Sequence, residues 1–463
     1  MAVAEEKLTV GSFKPVIALM MGYAFLMFAG GLNSLIIPIR GNSEGFSAFS
    51  LGLLGTSWAI GFILGSFTVP KMVQRVGHIR IFAVMASLAT LAVILSSLWV
   101  NSIVWLPLRA AAGFCFAGAA MIVESWLNES ANKNTRGRIF GVYTMVNLVA
   151  TTAGQMVIVT GDTTGIIFFL IAAMFYTLAI IPPSLSEQTK PRPLRQVTFD
   201  LPLLWKSSPV AVVGVMLIGI SNGAFGSLGA VYAQRIDLDI AAVATFMSAA
   251  IIAGAAAQMP IGYMSDKFDR RTVLAGLALV ASVIDVFFIQ ITEIQTWMII
   301  AAGAAFGGAI YSLPPVIMAH ANDQAPRDKY VQTSSGLLLI FGLGAIIGPI
   351  VGGTLMSAFG ESGLFMATLW SHLTLAVYVL WRKTRRKSVS KDEKIQFERI
   401  EPGRVILQTP PLSARDFGVS EARKGDIPDM PEHIRSAFDR KIEDSEMTDL
   451  QKRRGSDKEH GGW

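Results

Sequence analysis

The sequence predicts an all-α membrane protein of twelve spanning helices, arranged as two pseudo-symmetric six-helix bundles. Three observations predict it. Hydrophobic residues make up 52% of the chain and only 16% of residues are charged. Of those charges, 19 of the 39 basic and 16 of the 33 acidic side chains lie from Arg382 onward. The preceding residues are therefore too poor in charge to cover a water-exposed surface, and most of that surface must face lipid. Finally, a charged loop recurs half a chain apart. Gly262-Tyr-Met-Ser-Asp266-Lys267-Phe-Asp-Arg270-Arg271 lies 192 residues after Pro70-Lys-Met-Val-Gln74-Arg75-Val-Gly77-His78-Ile79.

Apolar runs fall at roughly 16–38, 48–70, 79–100, 103–127, 138–160 and 164–182, and again at roughly 209–233, 240–263, 272–291, 296–319, 331–356 and 362–381. Each is long enough to cross a hydrocarbon core of about 30 Å as a helix. Before the first run stand Glu5, Glu6 and Lys7, with no short apolar region ahead of an Ala-x-Ala site, so it reads as a span and not a cleaved leader. Trp99, Trp105 and Trp297 flank spans three, four and ten, where interfacial aromatics are expected. Between spans six and seven, 183–208 is polar, basic and Pro-rich and reads as a linker. This divides the chain into a first bundle (1–182), the linker, a second bundle (209–384) and a tail (385–463). The tail is mixed in charge and expected to be largely disordered, with a short polar helix at 432–453.

Loop charge alternates from side to side. One side carries Lys7, Lys14, Lys71, Arg75, Arg80, Lys133, Arg136, Arg138, Lys190, Arg192, Arg195, Lys206, Lys267, Arg270, Arg271, Arg327 and Lys329; the other offers Arg40 and Arg235. By the positive-inside rule both termini are expected on the cytoplasmic side of the membrane. The same distribution rejects a nucleic-acid role for the basic composition. The lone Cys115 forms no internal disulfide or metal cluster, and no cofactor is expected.

The halves match elsewhere. Asn128-Glu129 corresponds to Asn322-Asp323 and Gly113 to Gly307, both 194 residues on. Gly344-x-x-x-Gly348-Pro349-x-x-Gly352-Gly353 in span eleven sits over Ala150–Gln155 in span five. The 262–271 stretch resembles the loop signature of the major facilitator superfamily, Gly-x-x-x-Asp-Arg/Lys-x-Gly-Arg-Arg/Lys, with Asp269 where a second Gly is usual. The copy at 70–79 departs at Pro70, Gln74 and His78. Arg109-Ala-Ala-Ala-Gly113 resembles the fourth-span Arg motif, and Arg136-Gly137-Arg138 opens span five in the same style. Within the superfamily, Glu124-Ser-Trp126-Leu-Asn128 and the Val76–Arg80 loop are similar to the YcaD-like bacterial permeases. The resemblance covers essentially 15–382 and implies a transporter fold with a midplane cavity, without implying a substrate.

Arg109 is the sharpest candidate for chemistry. A guanidinium within a span is costly, so it binds an anionic group or packs on helix carbonyls. Glu124 follows 15 residues later, about 60° around the helix and about 22 Å along it, too far to touch Arg109. It reads as a latch to basic loop residues such as Arg75, Arg80 or Arg138, with Asn128 in the same network, or as a proton acceptor. Asp285 in span nine and His372 in span twelve can titrate, but read first as interhelical hydrogen bonds. Asn33, Gln155, Asn222 and Gln258, on spans that the resemblance places around the cavity, read as substrate hydrogen-bonding groups or interhelical contacts. Tyr23, Phe225 and Tyr311 are candidate aromatic walls. Gly344, Gly348, Pro349, Gly352 and Gly353 read as tight packing. Asp266, Lys267, Arg270 and Arg271 read as a loop latch, with Asp266 accepting from a facing helix N-terminus.

The function expected is secondary active transport of a small organic solute by alternating access. Protons are the expected coupling ion, carried by Glu124, Asp285 or His372 in falling order. A monomer in the lipid bilayer is expected. A membrane sensor signalling through the tail is the alternative. An enzyme is not expected, because no nucleophile-plus-base or metal-ligand constellation is visible. No Gly-x-x-x-x-Gly-Lys-Ser/Thr loop supplies ATP chemistry.

Overall fold

A computed structural model describes residues 14–130, 136–185, 201–291, 295–325 and 329–385. The tail beyond 385, most of the linker and the first thirteen residues lie outside the described residues. Among those described, twelve helical spans are long and apolar enough to cross a membrane. Spans one to four are α1 (Lys14–Ser43), α2 (Ala48–Val76), α3 (His78–Leu98) and α4 (Ser102–Ser130). Span five is α5 (Arg136–Met156) with a 3-10 turn, Val157–Thr160; span six is α6 (Ile167–Leu178) with α7 (Ile181–Ser184). A short α8 (Leu201–Ser207) occupies the end of the segment read as linker, ahead of span seven, α9 (Pro209–Arg235). Spans eight and nine are α10 (Ile240–Lys267) and α11 (Arg270–Gln290). Span ten is split into α12 (Thr296–Ile310) and α13 (Leu313–Gln324), and α14 (Tyr330–Phe359) and α15 (Gly363–Arg385) complete the set.

Several helices outlast their apolar runs: α1 continues to Ser43, α2 to Val76 and α10 to Lys267. Hydropathy marks the hydrocarbon, whereas a helix ends at its cap. The caps repeat with the sequence. Ser47 and Asp239, 192 residues apart, open α2 and α10 by accepting from Ser50 N (3.1 Å) and Ala242 N (2.7 Å). Gly77 closes α2 at φ 96°, a left-handed conformation suited to glycine. Its counterpart Asp269 sits at φ −61° and caps α11, accepting from Arg271 N at 2.9 Å. The departure from the expected glycine is thus a change of device, from a C-cap to an N-cap.

Helix pairing repeats the same offsets at the level of contacts. A Cβ on Gly113 would stand 2.0 Å from the Trp58 carbonyl oxygen, and one on Gly307 2.2 Å from that of Ala250. Likewise a Cβ on Gly154 would meet Phe28 O at 2.0 Å, and one on Gly348 would meet Ile220 O at 2.1 Å. Span two therefore lies backbone-close on four as eight does on ten, and one lies on five as seven does on eleven. Within the Gly344–Gly353 string, Gly344 and Gly348 meet span seven, while Gly353 faces Ala48 across the two halves. Pro349 also faces across, its carbonyl lying against Gly52 of span two.

Two aromatic expectations are corrected. Trp99 and Trp297 are exposed, but Trp105 is fully buried, its Nε1 donating to Ser96 O (3.0 Å) and Trp99 O (2.9 Å). A tryptophan whose N–H is satisfied by the preceding helix end has no need of the interface. Phe225 belongs to an aromatic core of the second half, with Phe246, Phe306 and Phe365, and not to a cavity wall.

Gly348→Ala should destabilise the detergent-solubilised protein by about 1–3 kcal/mol, because the carbonyl it meets is backbone and cannot swing away. Gly276→Ala, where a Cβ meets nothing within 4 Å, should leave the unfolding midpoint unchanged or slightly raised. Equal midpoints for the two variants in a thermal unfolding series would contradict the pairing.

Candidate functional site: a cavity between the two halves

A cavity of about 230 Å³ lies between the halves. Its polar lining includes Asn33, Arg109, Asn147, Gln155, Tyr176, Asn222 and Ser227; its apolar walls include Trp58, Phe116, Met247 and Phe341. Among the described residues, Arg109 is the one charged lining residue, and no Asp, Glu, Lys or His lines the space. The volume falls just under the usual range for small-molecule pockets, about 300–1,000 Å³, and so fits a small solute.

Three of these residues carry unsatisfied polar atoms. Arg109 Nε, Asn33 Oδ1 and both side-chain polar atoms of Asn222 are buried without a hydrogen-bond partner. The Tyr176 hydroxyl, hydrogen-bonded by Asn33, lies within electrostatic reach of the guanidinium but carries no counter-charge. A free positive charge and amide groups facing one small space are what an anionic, hydrogen-bonding ligand requires.

The helix break in span ten also serves the cavity. Pro314 and Pro315 cannot donate backbone hydrogen bonds, so α12 stops at Ile310 and α13 begins at Leu313. Irregular backbone inside a membrane is tolerated where it is buried or lines a cavity. Tyr311 at the break lines the cavity, and its freed carbonyl accepts from Gln258 Nε2 at 3.3 Å. Gln258, expected to bind substrate, is thus held at the break and does not line the cavity. Tyr23 is also displaced from the expected wall: its hydroxyl accepts from Asn147 Nδ2 at 2.8 Å and its ring packs on Tyr143.

One end of the cavity is closed by contacts between the halves. Asn42 Nδ2 donates to Gln234 Oε1 (3.0 Å) and Gln234 Nε2 to Ser43 Oγ (3.0 Å). Arg235 Nε donates to Asn42 Oδ1 (2.8 Å) and Nη2 to Phe46 O (3.3 Å). Asn42 and Gln234 are themselves 192 residues apart, so two repeat-related positions meet on the pseudo-twofold axis. Gln155 bridges spans five and eight by accepting from Ser248 Oγ at 2.9 Å. Thr56 Oγ1 donates to Ile346 O (2.8 Å) and Phe49 N to Ser357 Oγ (3.2 Å). The Asn42, Gln234, Arg235 and Phe49–Ser357 contacts lie at the span ends opposite the basic loops, whereas Thr56–Ile346 and Gln155–Ser248 lie deeper in their spans.

The remaining candidates stand away from the cavity. Glu124 is buried and accepts from the Tyr143 hydroxyl at 3.3 Å, and its backbone carbonyl accepts from Asn128 Nδ2 at 2.9 Å. Arg75 and Arg80, the expected latch partners, are exposed; the Arg138 side chain lies outside the described residues. In the second half the loop signature is a network within that half. Arg270, almost fully buried, donates through Nε to Asp323 Oδ2 at 2.7 Å and through Nη1 to Ser265 Oγ at 3.0 Å. Its Nη2 lies 3.3 Å from Asp266. Arg271 lies 3.6 Å from Asp269, and Lys267 stands over the Tyr263 ring at 4.3 Å.

Asp285 and His372 meet, and with Ser221 they form a buried chain. His372 Nδ1 is 2.6 Å from Asp285 Oδ2, Thr368 Oγ1 donates to Asp285 Oδ1 at 2.5 Å, and Ser221 Oγ is 2.8 Å from His372 Nε2. This is the connectivity of a nucleophile, a base and its orienting acid, a constellation not visible in sequence because it is assembled from three spans. No group of three His, Cys, Asp or Glu suited to a metal ion occurs among the described residues.

The sequence profile described as Major Facilitator Superfamily matches residues 19–256 and 211–420. The chain is 27% identical over 361 residues to the uncharacterised MFS-type transporter YcaD of Escherichia coli O6:K15:H31 (strain 536 / UPEC), covering 76% of this chain and 92% of the relative. The same identity and coverage hold for YcaD of Shigella flexneri. Among solved structures, the fold is similar to the nucleoside transporter NupG (D323A mutant), with a TM-score of 0.68 and 11% identity over 81% of this chain and all of the other. It is also similar to a bacterial homologue of the human lysosomal transporter Spinster, with a TM-score of 0.66 and 16% identity over 82% of this chain and 97% of the other.

Because the Arg109 guanidinium faces the cavity without a counter-charge, Arg109→Met should leave the unfolding midpoint of the ligand-free protein unchanged or raised. An Arg that held helices together would instead lose about 3–5 kcal/mol on truncation, and a large drop in midpoint would assign it to packing.

Proposed function

The chain belongs to the Major Facilitator Superfamily, and on that premise we propose that it is a secondary active transporter carrying a small organic anion by alternating access. One observation carries this reading: among the described residues, a cavity shared by both halves is lined by one cation, no acid, and buried amide atoms without partners. An anionic group of the solute accepts from Arg109, and its polar substituents pair with Asn33 and Asn222. Trp58, Phe116 and Phe341 exclude water around its apolar part. The ligand thereby supplies partners for these buried groups, which gives affinity without a large interface.

Rocking of one six-helix half on the other exposes the site to each side in turn. With the basic loops in the cytoplasm of a bacterial inner membrane, the Asn42–Gln234–Arg235 clasp closes the outer side in the present state. Inward opening is then the conformation to which this cavity belongs. Protons are the proposed coupling ion, and a monomer suffices because each half supplies its own side of the site. Ser221 argues for transport over hydrolysis. It is fully buried and outside the cavity lining, so no ester or amide carbonyl reaches its oxygen.

A thermal-stabilisation screen of organic anions, their neutral isosteres and organic cations tests the substrate class. Anions should raise the wild-type midpoint. Arg109→Ala should weaken their binding by about 2–5 kcal/mol, at least about thirtyfold. Neutral or cationic solutes that stabilise both proteins equally would overturn the anion reading.

A further inference from the structure

The Asp285–His372–Ser221 chain is not used by the solute site, yet it ends beside it. Asp285 and His372 are fully buried, 0% exposed, on α11 and α15. Ser221, also 0% exposed, lies on α9 immediately before Asn222, whose amide lines the cavity without a partner. Phe306 stands edge-on to the His372 ring, 5.8 Å away, on one side of the chain. With an ionised Asp285 and a neutral His372, the cluster holds one uncompensated negative charge inside the membrane. One further proton makes it a neutral ion pair, which a low-dielectric interior favours.

Few other titratable groups share this environment. From α9, Tyr232 stands behind the Phe365 ring, 4.7 Å away. The sequence of α12 holds none, and the interior of α14 holds none. Tyr378 and Arg382 lie further along α15, Glu361 just precedes it, and Arg270 and Arg271 begin α11. On α13, which packs against α9 and α11, His320 is buried and Asp323 pairs with Arg270.

We propose that the Asp285–His372 dyad is a proton-binding site, and that Ser221 couples its occupancy to span seven and so to the cavity. In the unprotonated state the Ser221 hydroxyl donates to His372 Nε2. On uptake one proton is bound at His372 Nε2, and the Ser221 hydroxyl turns so that its Oγ accepts from that N–H. His372 becomes an imidazolium that donates to both Asp285 and Ser221. Oγ is now the acceptor, and the serine hydrogen must point away from the ring. Protonation therefore reverses the hydrogen bond that ties span seven to span twelve, one residue from the solute-facing Asn222. Asp285 orients the ring and stabilises its charge, and Ser221 is the positioning residue.

The inference rests on the alternating-access reading, and the two fail separately. Asn42 and Gln234 are replaced by cysteines in a Cys115→Ala background, and their disulfide formation is followed across a pH series. One-proton linkage shifts a two-state equilibrium by up to about tenfold per pH unit. The expected result is a pH-dependent crosslinking equilibrium, relative to an exposed control pair corrected for thiol ionisation, that becomes flat in His372→Gln and in Ser221→Ala. Ser221→Ala keeps the dyad and removes only the link, so it stands as the test even where His372→Gln folds poorly. A flat wild-type profile, or one that survives Ser221→Ala, overturns the proposal. A crosslink that forms but leaves labelling of the cavity unchanged refutes alternating access instead.

Discussion

Inside a bilayer a polar group must find its partner within the protein, since lipid offers none. That constraint organises this molecule. It makes the described spans helical, and with their backbone groups paired within each helix, Gly113, Gly154, Gly307 and Gly348 let neighbouring backbones approach closely. It also sets Gln258 on the carbonyl freed where span ten breaks. It joins Asp285, His372, Thr368 and Ser221 into one buried chain. Against that background the exceptions carry information. Arg109, Asn33 and Asn222 leave buried polar atoms unmatched, and all three face the same cavity. A ligand that completes them is the simplest reason for such costly groups to be kept.

The two halves are alike in backbone and different in chemistry. Caps, close contacts and the axis pair Asn42–Gln234 follow the repeat offset of 192 to 194 residues. Function resides where the copies diverge. The first half contributes a cation at Arg109, and the second contributes an acid–base pair at Asp285 and His372. Under the proposed account, a solute anion and a proton would occupy different sites that communicate through span seven. The loop signature diverges too: the second half buries Arg270 between Asp323 and Asp266, whereas the first has His78 and Gln74 at the corresponding places.

Much of this architecture was legible in the sequence. Long apolar runs, alternating loop charge and a fixed repeat offset define twelve spans, because helix length and bilayer thickness leave few alternatives. Arg109 was legible because a charge inside a span is rare, and Asn33, Gln155 and Asn222 because polar residues within spans are few. Helix face was not legible. Lipid and protein core are both apolar, so hydrophobic periodicity does not tell Trp58 or Phe341, which line the cavity, from the lipid-facing Leu64 or Val283. Gln258 was misplaced for the same reason: its span borders the cavity but its face does not. The Ser221–His372–Asp285 chain was invisible because its members are far apart in sequence and meet through packing. Trp105 looked interfacial because position along a span does not reveal the carbonyls that satisfy its N–H.

The central claim is that one cavity is offered to the two sides of the membrane in turn. Its most direct test is labelling of a cysteine at Ala112, a cavity-lining position, with a membrane-impermeant thiol reagent in oriented proteoliposomes, read at that position by peptide mapping. Cys115 is replaced, and the Asn42–Gln234 cysteine pair is left open or crosslinked. The account predicts labelling from both sides when the pair is open, and from the basic-loop side alone when it is closed. Labelling from one side only, whatever the state of the pair, would describe a fixed pocket and contradict it.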